Sequence, residues 1–294
     1  MSRWSDTVLT ISSHDAFLAA LDAAREVTCE AYVLAPSMVG AFEAAAARGA
    51  HVRVRLEAAP YGRDGRLPEI NRERVAELRA HGVDAALADG SDRVLHAKVA
   101  LVDGVAWLDD RNFPRGGPDL IVRDDDPADT AAVAGALAGA SLPGDRVALD
   151  KASALALEAR ALTEQTPATL DISSESFGYG PIEKLLREAI ARGAHVRLLV
   201  STLELHKAVP QELDALRLLA GAEIRARADV DKLAVTPACA WIGSANATGI
   251  YASDPQSDWG VISEHSAALA AVEARFESAW EHAATVALPP ARGA

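Results

Sequence analysis

The sequence predicts an α/β fold of two homologous halves, each a mixed sheet flanked by helices. One observation is a repeat: the segment Ala-Arg-Gly-Ala-His-Val-Arg occurs at 47–53 and again at 191–197. A second is that β-branched runs alternate with stretches of helical periodicity, which is typical of a sheet covered by helices. A third is that 50% of the 294 residues are hydrophobic, enough for two cores at roughly 150 residues per domain.

The repeat continues downstream and keeps its order. The further matches are Lys98–Val102 with Lys232–Thr236, Ala106–Leu108 with Ala240–Ile242, Asn112 with Asn246, and Asp119–Val122 with Asp258–Val261. The second copy has a shorter loop between the first segment and these later ones. A series of matches in one order indicates an internal duplication.

Each half shows the same order of predicted elements. These are a strand (29–35 and 168–173), a helix (38–48 and 181–192), a β-branched strand (50–56 and 194–200), a second helix (69–81 and 210–220), a hairpin, and a closing helix, clearest at 266–283. Gly82 and Gly221 follow the second helix of their halves, where glycine is common. We therefore predict a first half over 1–145, a helical linker over 146–166, a second half over 167–288 and a flexible tail over 289–294.

Charge and composition argue against several classes of function. The formal net charge is −13, which argues against general nucleic-acid binding, because that requires a basic surface. Two cysteines, Cys29 and Cys239, form neither a disulfide scaffold nor a metal site. There is no secretory signal and no apolar run of the roughly 20 residues that span a bilayer. We expect a cytoplasmic protein without transmembrane segment, metal or cofactor.

One motif combines residues that suit phosphorus chemistry. His96, Lys98 and Asp103 have the spacing H-x-K-x4-D. On an extended strand, positions i and i+2 project from the same face, so the imidazole and the ammonium would meet one ligand. The imidazole can attack phosphorus and the ammonium can neutralise non-bridging oxygens. Together with the repeat and with Gly-Ser-Ala-Asn at 243–246, this motif resembles the phospholipase D superfamily.

The resemblance implies a fold, a mechanism and a set of site residues. Two halves would pack about a pseudo-two-fold axis, and each would supply one His to a shared site: one as a phosphohistidine nucleophile, the other as proton donor to the leaving group. His96 would be the nucleophile and Asp119 its orienting acid, while Asp103 would be structural. The implied phosphate or substrate ligands are Lys98, Asn112, Lys232, Ser244 and Asn246.

The sequence departs from the family pattern in three places. In the second copy, the ungapped alignment places Val230 at the His position and Pro237 at the Asp position, and a different register would place Asp229, again not a His, at the first of these. The first copy has Asp-Asp-Arg-Asn at 109–112 where Gly-Ser-x-Asn is expected. The spacer after Asp103 is also one residue shorter than usual, which we place in the turn at Gly104.

These departures leave the general acid open. Asp110 pairs with Lys98 or Lys232, turns away, meets a cationic group of the substrate, or replaces the second His as proton donor. His206 is a further candidate acid, because its loop could reach the site, and water is a third. Glu175, at the end of a strand, is a candidate for lining the cleft.

Two functions from different classes follow. In the first, the chain is a metal-independent phosphodiesterase or phosphatidyl transferase that acts on a phosphodiester or phospholipid-type small molecule. In the second, catalysis has been lost and the cleft binds a ligand or a protein. A homodimer that pairs two copies of His96 is a third arrangement, but the second half already occupies the surface it would use, which favours a monomer.

Overall fold

The structure, a computed structural model, describes residues 9–61, 65–88, 94–113, 120–140, 144–163, 169–249 and 256–288. It divides into two compact units, Met1–Lys151 with Pro255–Trp259, and Ala152–Asp254 with Gly260–Ala294. Each unit contains one mixed sheet flanked by helices, which confirms the predicted fold class. A short segment from late in the chain thus belongs with the first unit, and this segment contributes to the site described below.

The first unit begins with a strand at the edge of its sheet. Its strands are β1 (Thr10–Ser12), β2 (Glu26–Ala31), β3 (His51–Leu56), β4 (Asp84–Leu87), β5 (Lys98–Val102), β6 (Val105–Asp109), β7 (Ile121–Asp124) and β8 (Val147–Ala148). Its helices are α1 (His14–Ala23), α2 (Pro36–Ala47), α3 (Leu67–Ala80) and α4 (Pro127–Leu137).

The sheet of the first unit has the order β1-β7-β6-β5-β2-β3-β4. Strands β2, β3 and β4 are parallel and are connected through α2 and α3, whereas β5, β6 and β7 form an antiparallel meander. A two-residue turn joins β5 to β6, with φ of 47° at Asp103 and 82° at Gly104. Two successive positive φ angles are typical of the type I′ turn, which matches the twist of a hairpin.

Side-chain alternation places the core of this unit against one face of the sheet. In β3, Val52, Val54 and Leu56 are buried, while His51 and Arg53 are exposed. The interior contains aromatic contacts, including stacked rings of Phe17 and Phe113 with centroids 4.8 Å apart. The period-two pattern in the sequence therefore fixes which face of the strand meets the helices.

The second unit repeats this architecture. Its helices are α5 (Lys151–Thr163), α6 (Pro181–Ala191), α7 (Thr202–Leu205), α8 (Pro210–Leu218) and α9 (Ser266–Glu281). Its strands are β9 (Thr169–Ser174), β10 (His195–Ser201), β11 (Glu223–Arg227), β12 (Leu233–Val235), β13 (Ala240–Gly243), β14 (Gly260–Ser263) and β15 (Ala284–Thr285). They follow the order β15-β11-β10-β9-β12-β13-β14, so six strands correspond one to one with β2–β7 of the first unit.

The repeated seven-residue segment has a simple structural role. In each copy it ends a helix and begins a parallel strand, and its glycine has a left-handed φ, 96° at Gly49 and 90° at Gly193. Only glycine adopts this conformation without cost, so the turn between helix and strand requires it. The repeat therefore marks the same helix–strand junction in both sheets.

Strand β2 lies earlier than predicted. We expected it over 29–35, and the structure ends it at Ala31. Beyond that point the N–H of Val33 is bound by the Asn112 side chain rather than by a neighbouring strand, and Pro36 begins α2. The predicted flexible tail over 289–294 lies outside the described residues. No helix in the described ranges has the length and apolar character needed to cross a bilayer.

Candidate functional site

His96 and Asp258 form the centre of the candidate site. The imidazole Nδ1 lies 2.7 Å from Asp258 Oδ1, although the two residues are far apart in the chain. Asp258 is 1% exposed and the His96 side chain 17% exposed. Because a carboxylate can only accept, Nδ1–H donates this hydrogen bond, and the lone pair of the neutral ring is then on Nε2. The geometry is that of a carboxylate-oriented imidazole with a nucleophilic nitrogen.

Backbone contacts hold the segment 256–259 beside residues 94–97, which lead into β5. Val94 forms a parallel bridge with Gln256, and Ser257 N donates to Val94 O at 2.9 Å. At the end of the segment, the Trp259 indole N–H donates to the carbonyl of Asp109 at 2.8 Å. The carboxylate that orients His96 is thus fixed from both sides along the chain.

Lys98 places a positive charge beside the imidazole. Its Nζ donates to the backbone carbonyl of His96 at 2.7 Å and lies 3.3 Å from Nδ1 and 3.4 Å from Nε2. The residue is 3% exposed. An ammonium at this distance from Nε2 can neutralise the non-bridging oxygens of a phosphoryl group that binds next to this nitrogen.

Two tyrosines pack next to these groups. The ring of Tyr32 meets the His96 ring edge-on, with centroids 4.9 Å apart, and Lys98 Nζ lies 5.5 Å from the Tyr32 centroid. The Tyr32 hydroxyl donates to Tyr61 O at 2.9 Å and accepts from Tyr61 N at 2.5 Å. Burial raises the pKa of Tyr32, so this hydroxyl stays protonated and serves to hold the loop at Tyr61.

Buried polar side chains support the loops around the site. Asn71, which is fully buried, donates from Nδ2 to Tyr32 O at 2.8 Å and to Glu57 O at 2.9 Å. The Glu57 carboxylate accepts from Leu95 N at 2.6 Å and from Ala59 N at 2.9 Å. These bonds fix the backbone immediately before His96.

Asp103 and Asn112 have backbone partners in the first unit. Asp103 Oδ1 accepts from Glu26 N at 2.8 Å and from Arg25 N at 3.0 Å, which ties the hairpin turn to the start of β2. Asn112 Oδ1 accepts from Val33 N at 3.3 Å. In the second unit, Asn246 Oδ1 accepts from Ser176 N at 3.2 Å. The two repeat-equivalent asparagines therefore hold the same loop in each half.

The aspartates that replace Gly-Ser in the first copy are buried. Asp109 is 0% exposed and Asp110 is 1% exposed. Asp109 Oδ2 accepts from Phe113 N, and Asp110 Oδ1 accepts from Leu120 N at 3.3 Å. Both carboxylates thus bind backbone N–H groups next to β6, and the role of Asp110 as a proton donor stays a prediction.

In the second unit, the motif lysine has a carboxylate partner. Lys232, which is 3% exposed, lies with Nζ 2.8 Å from Glu175 Oε2. Glu175 corresponds to Tyr32 of the first unit, since each precedes the loop residue bound by an equivalent asparagine. Val230, at the position of the second His, is 2% exposed and packs in the core, and Ser244 is fully buried. At equivalent positions, the ring of Tyr32 therefore packs beside Lys98 and the carboxylate of Glu175 pairs with Lys232.

Comparison with solved structures identifies the fold. The structure resembles polyphosphate kinase from Porphyromonas gingivalis, with a TM-score of 0.68, 14% identity and coverage of 96% of this chain and 48% of that chain. It also resembles phosphatidylserine synthase from Haemophilus influenzae Rd KW20, with a TM-score of 0.65, 9% identity and coverage of 96% and 90%. The chain has the phospholipase D-like fold.

This chain spans about half the length of the polyphosphate kinase that it resembles. No protein-family model matches the sequence, and no curated protein matches it by sequence. At identities of 14% and 9%, the phospholipase D-like fold is what the comparison establishes.

Two further residues of this phospholipase D-like fold were predicted from the sequence as site residues, His206 and Asp119. His206 is exposed at the end of the four-residue helix α7 in the second unit. Asp119, predicted to orient His96, lies outside the described residues. The carboxylate that the structure places on His96 Nδ1 is Asp258, the repeat equivalent of Asp119.

Sequence reasoning missed Asp258, Tyr32, Tyr61, Asn71 and Glu57 as neighbours of the site. For Asp258 a signal existed, because the repeat aligns it with Asp119. The other four have no motif, since their contacts come from loops that approach one another only in the folded unit.

Proposed function

We propose that this chain is a phosphodiesterase or phosphotransferase that forms a phosphohistidine on His96 Nε2. The observation that carries the proposal is the hydrogen bond of 2.7 Å between His96 Nδ1 and the buried carboxylate of Asp258. This bond orients the ring and stabilises the positive charge that the imidazole acquires as it attacks phosphorus. The adjacent Lys98 ammonium favours the charge that develops on the phosphoryl oxygens.

The reaction proceeds in two steps. Nε2 displaces the leaving alcohol, so that the N–P bond forms as the P–O bond breaks. Water, or an acceptor alcohol, then attacks phosphorus, which forms a new P–O bond and releases His96. Water gives hydrolysis, and an alcohol gives transfer. The leaving oxygen needs a proton donor, and the second half offers Val230 where a second His is expected, so Asp110, His206 and water are the candidates from the sequence.

The substrate class we propose is a small phosphodiester, including phospholipid head groups. Polyphosphate kinase and phosphatidylserine synthase, which share the fold, are both named for phosphorus compounds. The net charge of −13 argues against long nucleic acids, because like charges repel unless a basic surface intervenes.

Trapping the intermediate tests the proposal. The protein is incubated with bis(4-nitrophenyl) phosphate, and we expect nitrophenolate release together with a phosphoryl adduct on His96 that survives alkali and is found by mass spectrometry. His96→Ala should abolish both signals. His265→Ala serves as the matched control, because His265 is exposed and caps α9. Equal release by wild type and His96→Ala would exclude the phosphohistidine mechanism.

A second candidate function is a catalytically inactive binding protein. Two observations favour it: Val230 occupies the position of the second His, and Glu175 neutralises Lys232 at 2.8 Å. In that case the protein would bind phosphate esters without turning them over. The same assay separates the two functions: a measurable affinity for a phosphodiester, without product across aryl and lipid substrates, would establish the binding function.

A further inference from the structure

We infer that Tyr61 is the proton donor to the leaving group, in place of the absent second histidine. This inference rests on the proposed function of His96. Tyr61 is 62% exposed, more than any other large apolar or aromatic residue in the described part of the chain. It nevertheless belongs to the packed group around His96, so its hydroxyl is both anchored and accessible to a substrate.

The anchoring comes from Tyr32. The Tyr32 hydroxyl binds both the N–H and the carbonyl of Tyr61, at 2.5 and 2.9 Å. The two tyrosine rings also pack edge-on, with centroids 5.5 Å apart, and the Tyr32 ring in turn contacts His96 at 4.9 Å. A continuous row of three rings thus connects the exposed phenol of Tyr61 to the imidazole of His96. Because the Tyr32 hydroxyl binds the backbone of Tyr61, the position of that backbone does not depend on the Tyr61 hydroxyl.

The hydroxyl itself is bound by a residue of the segment that orients His96. Gln256 Nε2 donates to the Tyr61 hydroxyl oxygen at 3.3 Å, and Gln256 lies two positions before Asp258. In an extended segment, side chains at i and i+2 point to the same face and are about 7 Å apart. The segment that places a carboxylate on His96 therefore places an amide on Tyr61.

An in-line displacement sets the distance at which a proton donor must lie from the nucleophile. The attacking nitrogen and the leaving oxygen lie on opposite sides of phosphorus. With attack from about 3–3.5 Å and a donor about 2.6–3.2 Å from the leaving oxygen, the donor belongs roughly 6–8 Å from the nucleophile. The amide of Gln256, which donates to the phenol oxygen, stabilises the phenolate that remains after proton transfer.

Tyr61 gives up a proton in the first step of the cycle and regains one in the second. In the first step, His96 Nε2 bonds to phosphorus, the P–O bond breaks, and the leaving oxygen takes the phenolic proton and departs as an alcohol. In the second step, the phenolate takes a proton from the attacking water or alcohol as the new P–O bond forms and the N–P bond breaks. Tyr61 and His96 then return to their starting forms.

Leaving groups of different basicity test this assignment. Nitrophenolate departs without protonation, whereas phenolate, with a conjugate acid near pKa 10, gains from a donor. We expect Tyr61→Phe to retain bis(4-nitrophenyl) phosphate turnover within about threefold and to lose roughly 10²- to 10⁴-fold on diphenyl phosphate. Tyr179→Phe, at an exposed tyrosine of the second unit, is the matched control and should leave both rates unchanged.

A pH profile gives a second readout that a structural role would not move. With diphenyl phosphate, the wild-type rate should fall in alkali as the donor phenol ionises, and Tyr61→Phe should lack this alkaline limb. Equal rate changes on both substrates, or none on either, would overturn the assignment of Tyr61 while leaving His96 in place. If wild type releases product from neither compound, the proposed function fails and this inference fails with it.

Discussion

The Asp258 carboxylate binds the His96 imidazole at 2.7 Å, although 162 positions separate the two residues. The duplication explains how Asp258, a residue of the second copy, binds His96 of the first copy's motif, because Asp258 is the repeat equivalent of Asp119. The segment 256–259 precedes β14 in sequence but belongs to the first unit, where it bonds to the backbone at Val94. One intact motif in the first unit is therefore completed by the second copy.

Replacing Asp258 by Asn should impair the chemical step more than binding. The amide is nearly isosteric, but it can donate to Nδ1, which favours the wrong tautomer and removes the charge that stabilises an imidazolium. We expect the turnover rate to fall roughly 10²- to 10⁴-fold with KM changed less than about threefold. Steady-state kinetics with bis(4-nitrophenyl) phosphate measure this. Asp125→Asn, at a surface carboxylate paired with Arg123, is the control, and an equal loss in that variant would contradict the assignment.

The two motif lysines should contribute unequally to phosphate affinity. Lys98 Nζ lies 3.4 Å from His96 Nε2, the proposed nucleophile, whereas Lys232 Nζ lies in the second unit, 2.8 Å from Glu175 Oε2. A hydrogen bond to a charged group contributes about 1.5–3 kcal/mol, so Lys98→Met should raise the inhibition constant of inorganic phosphate by about 10- to 100-fold. Lys232→Met should change it less than about threefold. A larger increase of the inhibition constant in Lys232→Met than in Lys98→Met would show that pairing with Glu175 does not prevent Lys232 from binding phosphate.

Asp124 should make the first unit less stable as the pH rises. Burial raises the pKa of Asp124 from 3.8 to about 7. The negative charge of Asp129 adds to this increase, and the hydrogen bond from the N–H of Asp126 partly opposes it. Between these values the unfolded chain has released this proton and the folded chain retains it, so stability falls as pH rises from about 4 to 7. One pKa unit corresponds to about 1.4 kcal/mol, which sets an upper bound of about 4 kcal/mol.

Asp124→Asn removes this ionisation and tests the pH dependence. An amide oxygen can still accept from Asp126 N, which lies 2.9 Å from the present carboxylate. We therefore expect the stability of the variant relative to wild type to increase between pH 5 and pH 8, measured by urea denaturation at both. A difference between the two proteins that is constant over this range would contradict the raised pKa. Asp125→Asn, at an exposed carboxylate, should show no such trend.

Asn71→Ala should destabilise the loops on which the site depends. The side chain is fully buried and makes two hydrogen bonds from Nδ2, to Tyr32 O and Glu57 O. Its removal leaves two buried carbonyls without this donor, at about 1–3 kcal/mol for each group left unsatisfied. We expect a loss of about 2–4 kcal/mol in urea denaturation with an unchanged m-value. Arg72→Ala, at the exposed neighbouring position, should change stability by less than about 0.5 kcal/mol.

The internal repeat and the local hydrophobic periodicity predicted most of the fold. The alternation in β3 and the left-handed glycines at Gly49 and Gly193 are local features. They determine which face of a strand is buried and where a helix ends, without reference to distant parts of the chain. The same holds for His96 and Lys98, because residues i and i+2 of an extended segment project from the same side. Replacement of the second His by Val230 is also visible in the sequence alone.

The partners of these residues depend on contacts that no local pattern encodes. Asp258 reaches His96, Asn71 joins two loops, and Glu175 meets Lys232 only because the strands bring distant segments together. Tyr61 belongs to no periodic pattern or motif in the sequence, so its contacts with Tyr32 and Gln256 are seen only in the folded unit. The sequence by itself thus determined the duplicated α/β architecture and the single imidazole–ammonium pair. The tertiary structure decided which carboxylate orients that imidazole and which carboxylate pairs with Lys232, because both depend on side chains that meet across long stretches of chain.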